Sequence, residues 1–209
     1  MKLAAAFLVA AVAGLAQPPL PELRIEPTTG GSIFYVRNGG QQPLTAFLIE
    51  LVDYPGSSYS LWQDDVAAPI LPGVEKRIPV ANMTVGAVPD YVKMRAALYA
   101  DGTSSGIPEK VTQLVERRRF RLETTRELIR RLEKPGAQKA AAMADLKQWA
   151  DSLAPQGKGN RNSQAAINQA AARALVSDTA AQLDARPLAD TLAALHSSER
   201  ALAASKPAL

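Results

Sequence analysis

The feature that most constrains the fold is a change of periodicity near Pro108. Before it, short runs of β-branched, aromatic and alternating apolar residues are separated by turn dipeptides, which predicts antiparallel strands. After Gly106 the apolar residues recur at helical spacing, and Pro108 suits the first position of a helix because its missing N–H costs nothing there. Strands followed by helices predict an α+β chain, with an antiparallel β-sandwich over residues 22–107.

Five strong strand patterns and one or two weaker ones precede the change. The weaker ones lie around Tyr59 to Trp62 and Thr103 to Ser105. The turn signals that separate the runs are Thr29-Gly30-Gly31, Gly39-Gly40, Pro55-Gly56, Asn82 and Asp101-Gly102. Because each strong run has an apolar face and a turn at each end, we expect residues 22–105 to form a self-sufficient unit.

One long helix and an alanine-rich region follow. The helix is predicted over residues 108–134, with a stop at Pro135-Gly136. Within residues 135–209, three further helical stretches are expected, at Ala137 to Leu153, Ser163 to Ala185 and Pro187 to Ser205. We expect these to form antiparallel hairpins, and to be the less stable half, since alanine favours helix but buries little area.

The N-terminus has the layout of a secretory signal peptide over residues 1–16. Lys2 precedes an apolar run from Leu3 to Val12, and small residues follow, so cleavage is expected after Ala16. Residues 17–21 then form a proline-rich lead-in. The apolar run is too short to cross a bilayer, and no transmembrane span is expected elsewhere. The prediction is a bacterial protein exported to the periplasm or the cell exterior.

Residue counts argue against most cofactor chemistry. The chain has no cysteine, which excludes disulfides and thiolate metal sites. His196 is the only histidine, which excludes a metal site built from several histidines and leaves one possible hydrolase base. The sequence has no nucleophile elbow to accompany that base, so a helix-surface histidine is expected. No catalytic, cofactor-binding or metal-binding residue is predicted.

The long helix contains the stretch Arg117-Arg118-Arg119-Phe120-Arg121, which raises the question of nucleic-acid or anionic-surface binding. Successive residues of a helix point about 100° apart, so the three arginines do not form one patch. Arg118 projects into the apolar stripe together with Thr125. The helix has nine basic and five acidic residues, and interleaved charge of this kind is typical of a solvated helix face. We predict a structural helix, with an anionic-surface binder as the alternative and no nucleic-acid partner.

The glutamates of the polar face have arginines three residues later. Glu116, Glu123 and Glu127 are followed by Arg119, Arg126 and Arg130, and Glu127 also has Arg131 at four residues, so we expect ion pairs along this face.

The apolar stripe of this helix is too wide to leave in water. We expect the helix to fold back onto the sandwich or onto the alanine-rich hairpins. The charges are complementary, because the helix carries a net +4 and residues 17–107 carry a net −3. Arg118 is then expected to reach a carboxylate or the rim, because an unpaired buried guanidinium would be strongly unfavourable.

Three other candidate sites are weaker. Asp64-Asp65 could serve as the carboxylate pair of a glycoside hydrolase or half of a calcium site, but an exposed turn is expected, since adjacent strand residues point to opposite faces. Gly157-Lys158-Gly159 lacks the spacing of a phosphate-binding loop. Asn82-Met83-Thr84 fits a glycosylation acceptor, a pattern that is common by chance.

The first half of the chain resembles a known type of domain. Residues 32–53, SIFYVRNGGQQPLTAFLIELVD, contain a strand that ends in Asn-Gly-Gly and a longer strand after it. The pattern resembles the second and third strands of bacterial immunoglobulin-like accessory domains, including the cell-adhesion-related type. The resemblance implies a non-catalytic, protein-binding, adhesion-like or structural module, with an envelope protein or a surface polymer as partner. The alternative function is a secreted hydrolase that uses the acidic loop residues.

Overall fold

The computed structural model describes residues 17–54, 58–81, 89–134, 138–154 and 163–209. Within those ranges the chain forms two antiparallel sheets with seven strands and then four helices, which confirms the predicted α+β order. The strands are β1 (Glu22–Thr28), β2 (Gly31–Arg37), β3 (Leu44–Leu51), β4 (Ser60–Asp64), β5 (Glu75–Ala81), β6 (Val92–Tyr99) and β7 (Ser104–Gly106). A single 3₁₀ turn, Pro89–Tyr91, precedes β6. The helices are α1 (Pro108–Leu132), α2 (Lys139–Ser152), α3 (Gln164–Ala185) and α4 (Leu188–Ala203).

Several predicted features fall outside the described residues. They are the signal peptide at residues 1–16, the turns at Pro55-Gly56 and Asn82, the helix stop at Pro135-Gly136, the Asn82-Met83-Thr84 pattern and Gly157-Lys158-Gly159. Both weaker strand predictions correspond to strands, β4 and β7, and the three alanine-rich stretches correspond to α2, α3 and α4 within two residues at each end.

The two sheets share one apolar core. The first sheet has the strand order β1-β2-β5, and the second has the order β4-β3-β6-β7. Phe34 and Val36 of β2 pack in one cluster with Phe47 and Ile49 of β3 and with Tyr99 of β6. The two sheets therefore lie face to face.

The Asn-Gly-Gly motif carries the chain from the first sheet to the second. Asn38 is fully buried, and its Nδ2 donates hydrogen bonds of 2.8 Å to the carbonyls of Gln42 and Ile70. Its Oδ1 accepts from the Gly40 N–H at 3.0 Å. A buried amide must satisfy its donors and its acceptor, so Asn38 fixes the path of this connection.

The central strand β3 is buried on both faces. After a register shift between Leu44 and Ala46, residues 46–49 alternate between the core of the two sheets and the opposite face of the second sheet, where Ala46 and Leu48 pack with Ala96 and Leu98. This outer face is covered by Leu114 of α1, with Val111 and Val115 beside it. The sequence pattern alone does not show whether one face of a strand is covered or both. In β3 the core between the sheets covers one face and α1 covers the other.

Helix α1 contacts both halves of the molecule. Its first half lies on the second sheet, and its second half contributes Leu128, Ile129 and Leu132 to a core that includes Leu146, Val176, Leu183 and Leu195 from the other helices. Arg118, Leu122 and Thr125 are buried between these two regions. The predicted packing of the stripe is therefore confirmed on both surfaces, with the sheet and the helices as joint partners.

The polar face of α1 only partly follows the spacing that the sequence predicts. Glu127 pairs with Arg130 and Arg131, as expected from their positions. Arg126 instead pairs with Glu199 of α4 at 3.0 Å, and Arg131 also reaches Asp145 of α2 at 3.1 Å. Neighbouring helices thus compete for arginines that the helix alone would pair internally.

Candidate functional site

Arg118 joins three parts of the chain at the centre of the molecule. Its side chain is 0% exposed, while that of Asp64 at the end of β4 is 11% exposed. Arg118 Nη2 and Nε donate to Asp64 Oδ1 at 2.9 and 3.1 Å. Nη2 also donates to Thr45 Oγ1 of β3, and Nη1 donates to the Lys206 carbonyl, each at 3.0 Å. The expectation that Arg118 reaches a carboxylate is confirmed.

The exposed turn expected for Asp64-Asp65 is wrong. Asp64 is the last residue of β4 and pairs with Ala46 of β3. The strand therefore extends to the place where the second sheet meets α1. Asp65 is only 29% exposed and pairs with Lys76 Nζ, and its carboxylate also accepts from Gln63 Nε2 at 2.7 Å. The partner of Asp64 could not be identified from the sequence because Arg118 lies 54 residues away, and the partners of Asp65 depend on how β4 and β5 are placed.

A cleft lies beside this junction, between the outer face of the second sheet, α1 and α3. It consists of a cavity of about 800 Å³ and a neighbouring one of about 230 Å³, which share Trp62, Arg117, Ala171 and Ala174 as lining residues. We call the two together the α1–α3 cleft. Its volume falls in the range of small-molecule binding sites.

The strand β4 positions one wall of the cleft by simple alternation. Leu61 packs toward the core between the sheets, whereas Trp62 lies on the outer face against Leu48 and Leu114. Alternate residues of a strand point to opposite faces, so Trp62 and Asp64 share the side that faces α1. The opposite wall comes from α3, where small and apolar side chains face the cavity: Ala166, Ile167, Ala170, Ala171 and Ala174.

The larger cavity has three cationic side chains and two carboxylates in its lining: Arg95, Lys110, Arg117, Glu50 and Asp53. Glu50, 15% exposed, pairs with Lys110 at 2.8 Å and lies 3.4 Å from Arg95 Nε. That Nε is buried, yet among the described residues it has no hydrogen-bond partner of acceptable geometry. One acid thus serves two cations, and one buried donor is left unsatisfied.

Arg117 is the third cation, and it lies where the two cavities meet. Its guanidinium carbon is 5.1 Å from the centre of the Trp62 ring, a cation–π distance. Burial lowers the pKa of Arg117, the Asp64 carboxylate acts in the opposite direction, and Arg121 lowers it further. Asp64 lies too far from Arg117 for an ion pair and directs its oxygens to Arg118. Trp62 was not identified from the sequence, where only the alternation in β4 hints at its position. Arg117 was considered there only within the arginine stretch, which was interpreted as part of a solvated helix face.

His196 lies on α4, at the surface. Its Nε2 is 2.9 Å from Glu133 Oε1, and both side chains are partly exposed, at 40% and 51%. This agrees with the expected helix-surface histidine, and no nucleophile contacts the ring among the hydrogen bonds of the described residues.

Two further features do not occur in the described ranges, a metal-binding cluster and a membrane-spanning helix. Those residues contain no group of three or more histidine, cysteine, aspartate or glutamate side chains placed to hold a metal ion. None of the helices there is long and apolar enough to cross a membrane.

Comparison with known proteins finds no matching family model, no matching curated protein and no matching solved structure.

Proposed function

We propose that the protein is an exported, non-catalytic binding module of a bacterial cell envelope, and that its N-terminal half is an immunoglobulin-like sandwich. The observation that carries the binding function is the α1–α3 cleft. It combines a large volume with an aromatic ring, a guanidinium that has no ion-pair partner among the described residues, and an apolar wall, all on regular elements. A site built on strands and helices is held more precisely than one on loops, which favours recognition of a defined partner.

The strand order supports the immunoglobulin-like assignment. The first, second and fifth strands share one sheet, and the third, fourth, sixth and seventh share the other. Immunoglobulin-related sandwiches divide their strands between two sheets in a comparable way, with strands A, B and E opposite C, F and G, and with an added strand beside C in some types. β4 would be that added strand.

The state of the two aspartates favours binding over hydrolysis. A hydrolase built on Asp64 and Asp65 would need one carboxylate free to act as acid, base or nucleophile. Asp64 accepts three hydrogen bonds from Arg118, and Asp65 is held by Lys76 and Gln63. Carboxylates engaged in this way are structural anchors, since releasing either would leave a buried or half-buried cation unpaired.

Affinity capture from a bacterial envelope extract tests the function. The folded protein, immobilised through its N-terminal side, should retain an envelope protein or a surface polymer, and the heat-unfolded protein should not. The retained material should show no new cleavage products after prolonged incubation. Hydrolysis that is lost in Asp65→Asn, a variant that keeps the size of the side chain, would favour the enzyme and contradict the proposal.

Export is tested separately. Residues 1–20 fused to a reporter should carry it across the inner membrane, and N-terminal sequencing of the mature product should begin at Gln17. A mature pool that retains Met1 would contradict the signal peptide. The partner would then have to be sought inside the cell.

A further inference from the structure

Two arginines of α1 lie over tryptophans, and they differ in one respect. Arg131 lies 4.4 Å from the Trp149 ring centre and also forms ion pairs with Glu127 and Asp145. Arg117 lies 5.1 Å from the Trp62 ring centre, and among the described residues it forms neither an ion pair nor a hydrogen bond through its side chain. Both arginines therefore lie over an indole ring, but only Arg131 also pairs with carboxylates of the described residues.

No acid of the described ranges forms an ion pair with Arg117, although Asp53 and Asp178 line the same cleft. All 20 aspartate and glutamate residues lie within the described ranges, and the segments between those ranges contain none. Asp64, which shares the smaller cavity with Arg117, is held by Arg118. A half-buried guanidinium without a counterion is unfavourable, because burial removes water without replacing its hydrogen bonds.

We propose that the α1–α3 cleft binds an organic carboxylate, with the carboxylate on Arg117 and an attached apolar group against the alanine face of α3. This inference rests on the proposed binding function and names the class of ligand. A guanidinium presents two parallel N–H groups that match a carboxylate, so the contact is specific as well as favourable.

The charge of the cleft favours a single negative charge over a polyphosphate. Over the two cavities together, four cationic side chains face four carboxylates, so the lining has no net positive charge that would attract a polyanion. Arg95 and Lys110 are already committed to Glu50, so Arg117 is the cation available for a ligand.

The shape of the cleft defines the rest of the ligand. Ile167, Ala170, Ala171 and Ala174 present methyl groups and no hydrogen-bonding side chains. A wall of this kind is suited to an aliphatic or small apolar group, since burial of such a group is favourable and needs no hydrogen bonds. The ligand is therefore amphipathic, with its charged end toward α1.

The indole N–H signals of the two tryptophans provide the test. Hexanoate is titrated into the ¹⁵N-labelled full chain, with the Trp62 signal assigned through the Trp149→Phe variant. We expect hexanoate to shift the Trp62 signal saturably and to leave that of Trp149 in place. Hexanol, which has the same apolar chain without the charge, should cause no saturable shift. Equal shifts with both compounds, or no shift with hexanoate, would overturn the proposal.

Substitution of Arg117 gives the second arm. Arg117→Gln should weaken hexanoate binding by about tenfold or more, as expected for loss of a charge-assisted hydrogen-bonded pair. Arg119→Gln removes the same charge from an exposed position two residues away and should leave the affinity unchanged. An unshifted Trp149 signal in each variant shows that the fold is intact. If the two variants bind hexanoate alike, Arg117 is not the carboxylate site.

Two further titrations identify the source of the carboxylate. Tighter binding of a blocked alanine peptide with one central glutamate assigns the ligand to a peptide, and tighter binding of hexanoate assigns it to a free aliphatic acid. Tighter binding of hexyl phosphate than of either carboxylate would overturn the assignment of the ligand class. Capture of an envelope component without any hexanoate binding would refute this inference alone, whereas loss of both would refute the binding function as well.

Discussion

The Arg118 side chain is 0% exposed, so its stability in the fold depends on its protein partners. Replacing Asp64 with alanine should lower the free energy of unfolding by about 3–5 kcal/mol, because the guanidinium would remain buried without its carboxylate. Urea denaturation followed by circular dichroism measures this change. The double variant Asp64→Leu with Arg118→Met should recover most of the loss, since both charges leave together. Arg119→Ala, at an exposed neighbouring position, should change the value by less than about 1 kcal/mol. Similar losses in Asp64→Ala and Arg119→Ala would contradict the role of the buried pair.

Single residues show how far the sequence alone leads. Helical geometry predicts that Arg118 points into the apolar stripe and must find an acid, because this follows from neighbours on the same helix. The identity of that acid does not follow, since Asp64 lies 54 residues away. For the same reason Asp64 looks like an exposed turn residue in the sequence, and the pairing of Trp62 with Arg117 cannot be foreseen.

At the scale of the element, α1 is the connection between the two sheets and the other helices. Leu122 is 4% exposed and lies between the contacts that α1 makes with each side. Leu122→Asp should lower the free energy of unfolding by at least about 3 kcal/mol, because it buries a charge and removes apolar packing. Arg130→Ala, at a side chain 72% exposed, is the control and should change little. If Leu122→Asp melts at the wild-type temperature, α1 would have to be a free arm, and its arginines would again be candidates for a binding element.

The turn into α1 depends on one glycine. Gly106 has φ +105, and a Cβ atom at this position would lie 2.2 Å from the carbonyl oxygen of Arg95. Gly106→Ala should therefore destabilise the protein by more than the roughly 1–3 kcal/mol of backbone strain alone. Gly73 is a matched control, with φ +76 and no atom within 4 Å of the added Cβ, so Gly73→Ala should cost only the strain. Equal midpoints of urea denaturation for the two variants would contradict the close contact at Gly106.

Element types followed from the sequence more closely than element ends. Turn residues and the change of period identify strands and helices, since both signals are local. The end of β4 cannot be identified from local signals, because its pairing with β3 continues to Asp64 opposite Ala46. The ladder with the neighbouring strand, and the helix that covers it, decide where the strand stops.

At the scale of the whole molecule, the second sheet is covered on both faces. A fragment of residues 17–107 should keep a β-type far-ultraviolet spectrum, because the core between the sheets is complete without the helices. It should also bind a hydrophobic dye and self-associate, since Ala46, Leu48, Ala96 and Leu98 lose their cover from α1. Dye fluorescence and sedimentation velocity measure both effects, with the full chain as control. A helical or unstructured spectrum would show that the sheets depend on the helices for folding.

The hydrogen bond from Arg118 to the Lys206 carbonyl has a consequence for the order of events during synthesis. The ribosome makes Asp64 first and Arg118 54 residues later, so the ion pair can form while the chain is still growing. The carbonyl that satisfies Nη1 follows another 88 residues on. Until then Nη1 of a buried guanidinium lacks the acceptor that it has in the complete fold. A nascent chain stalled before Lys206 would thus be a substrate for proteases and chaperones that the finished protein escapes.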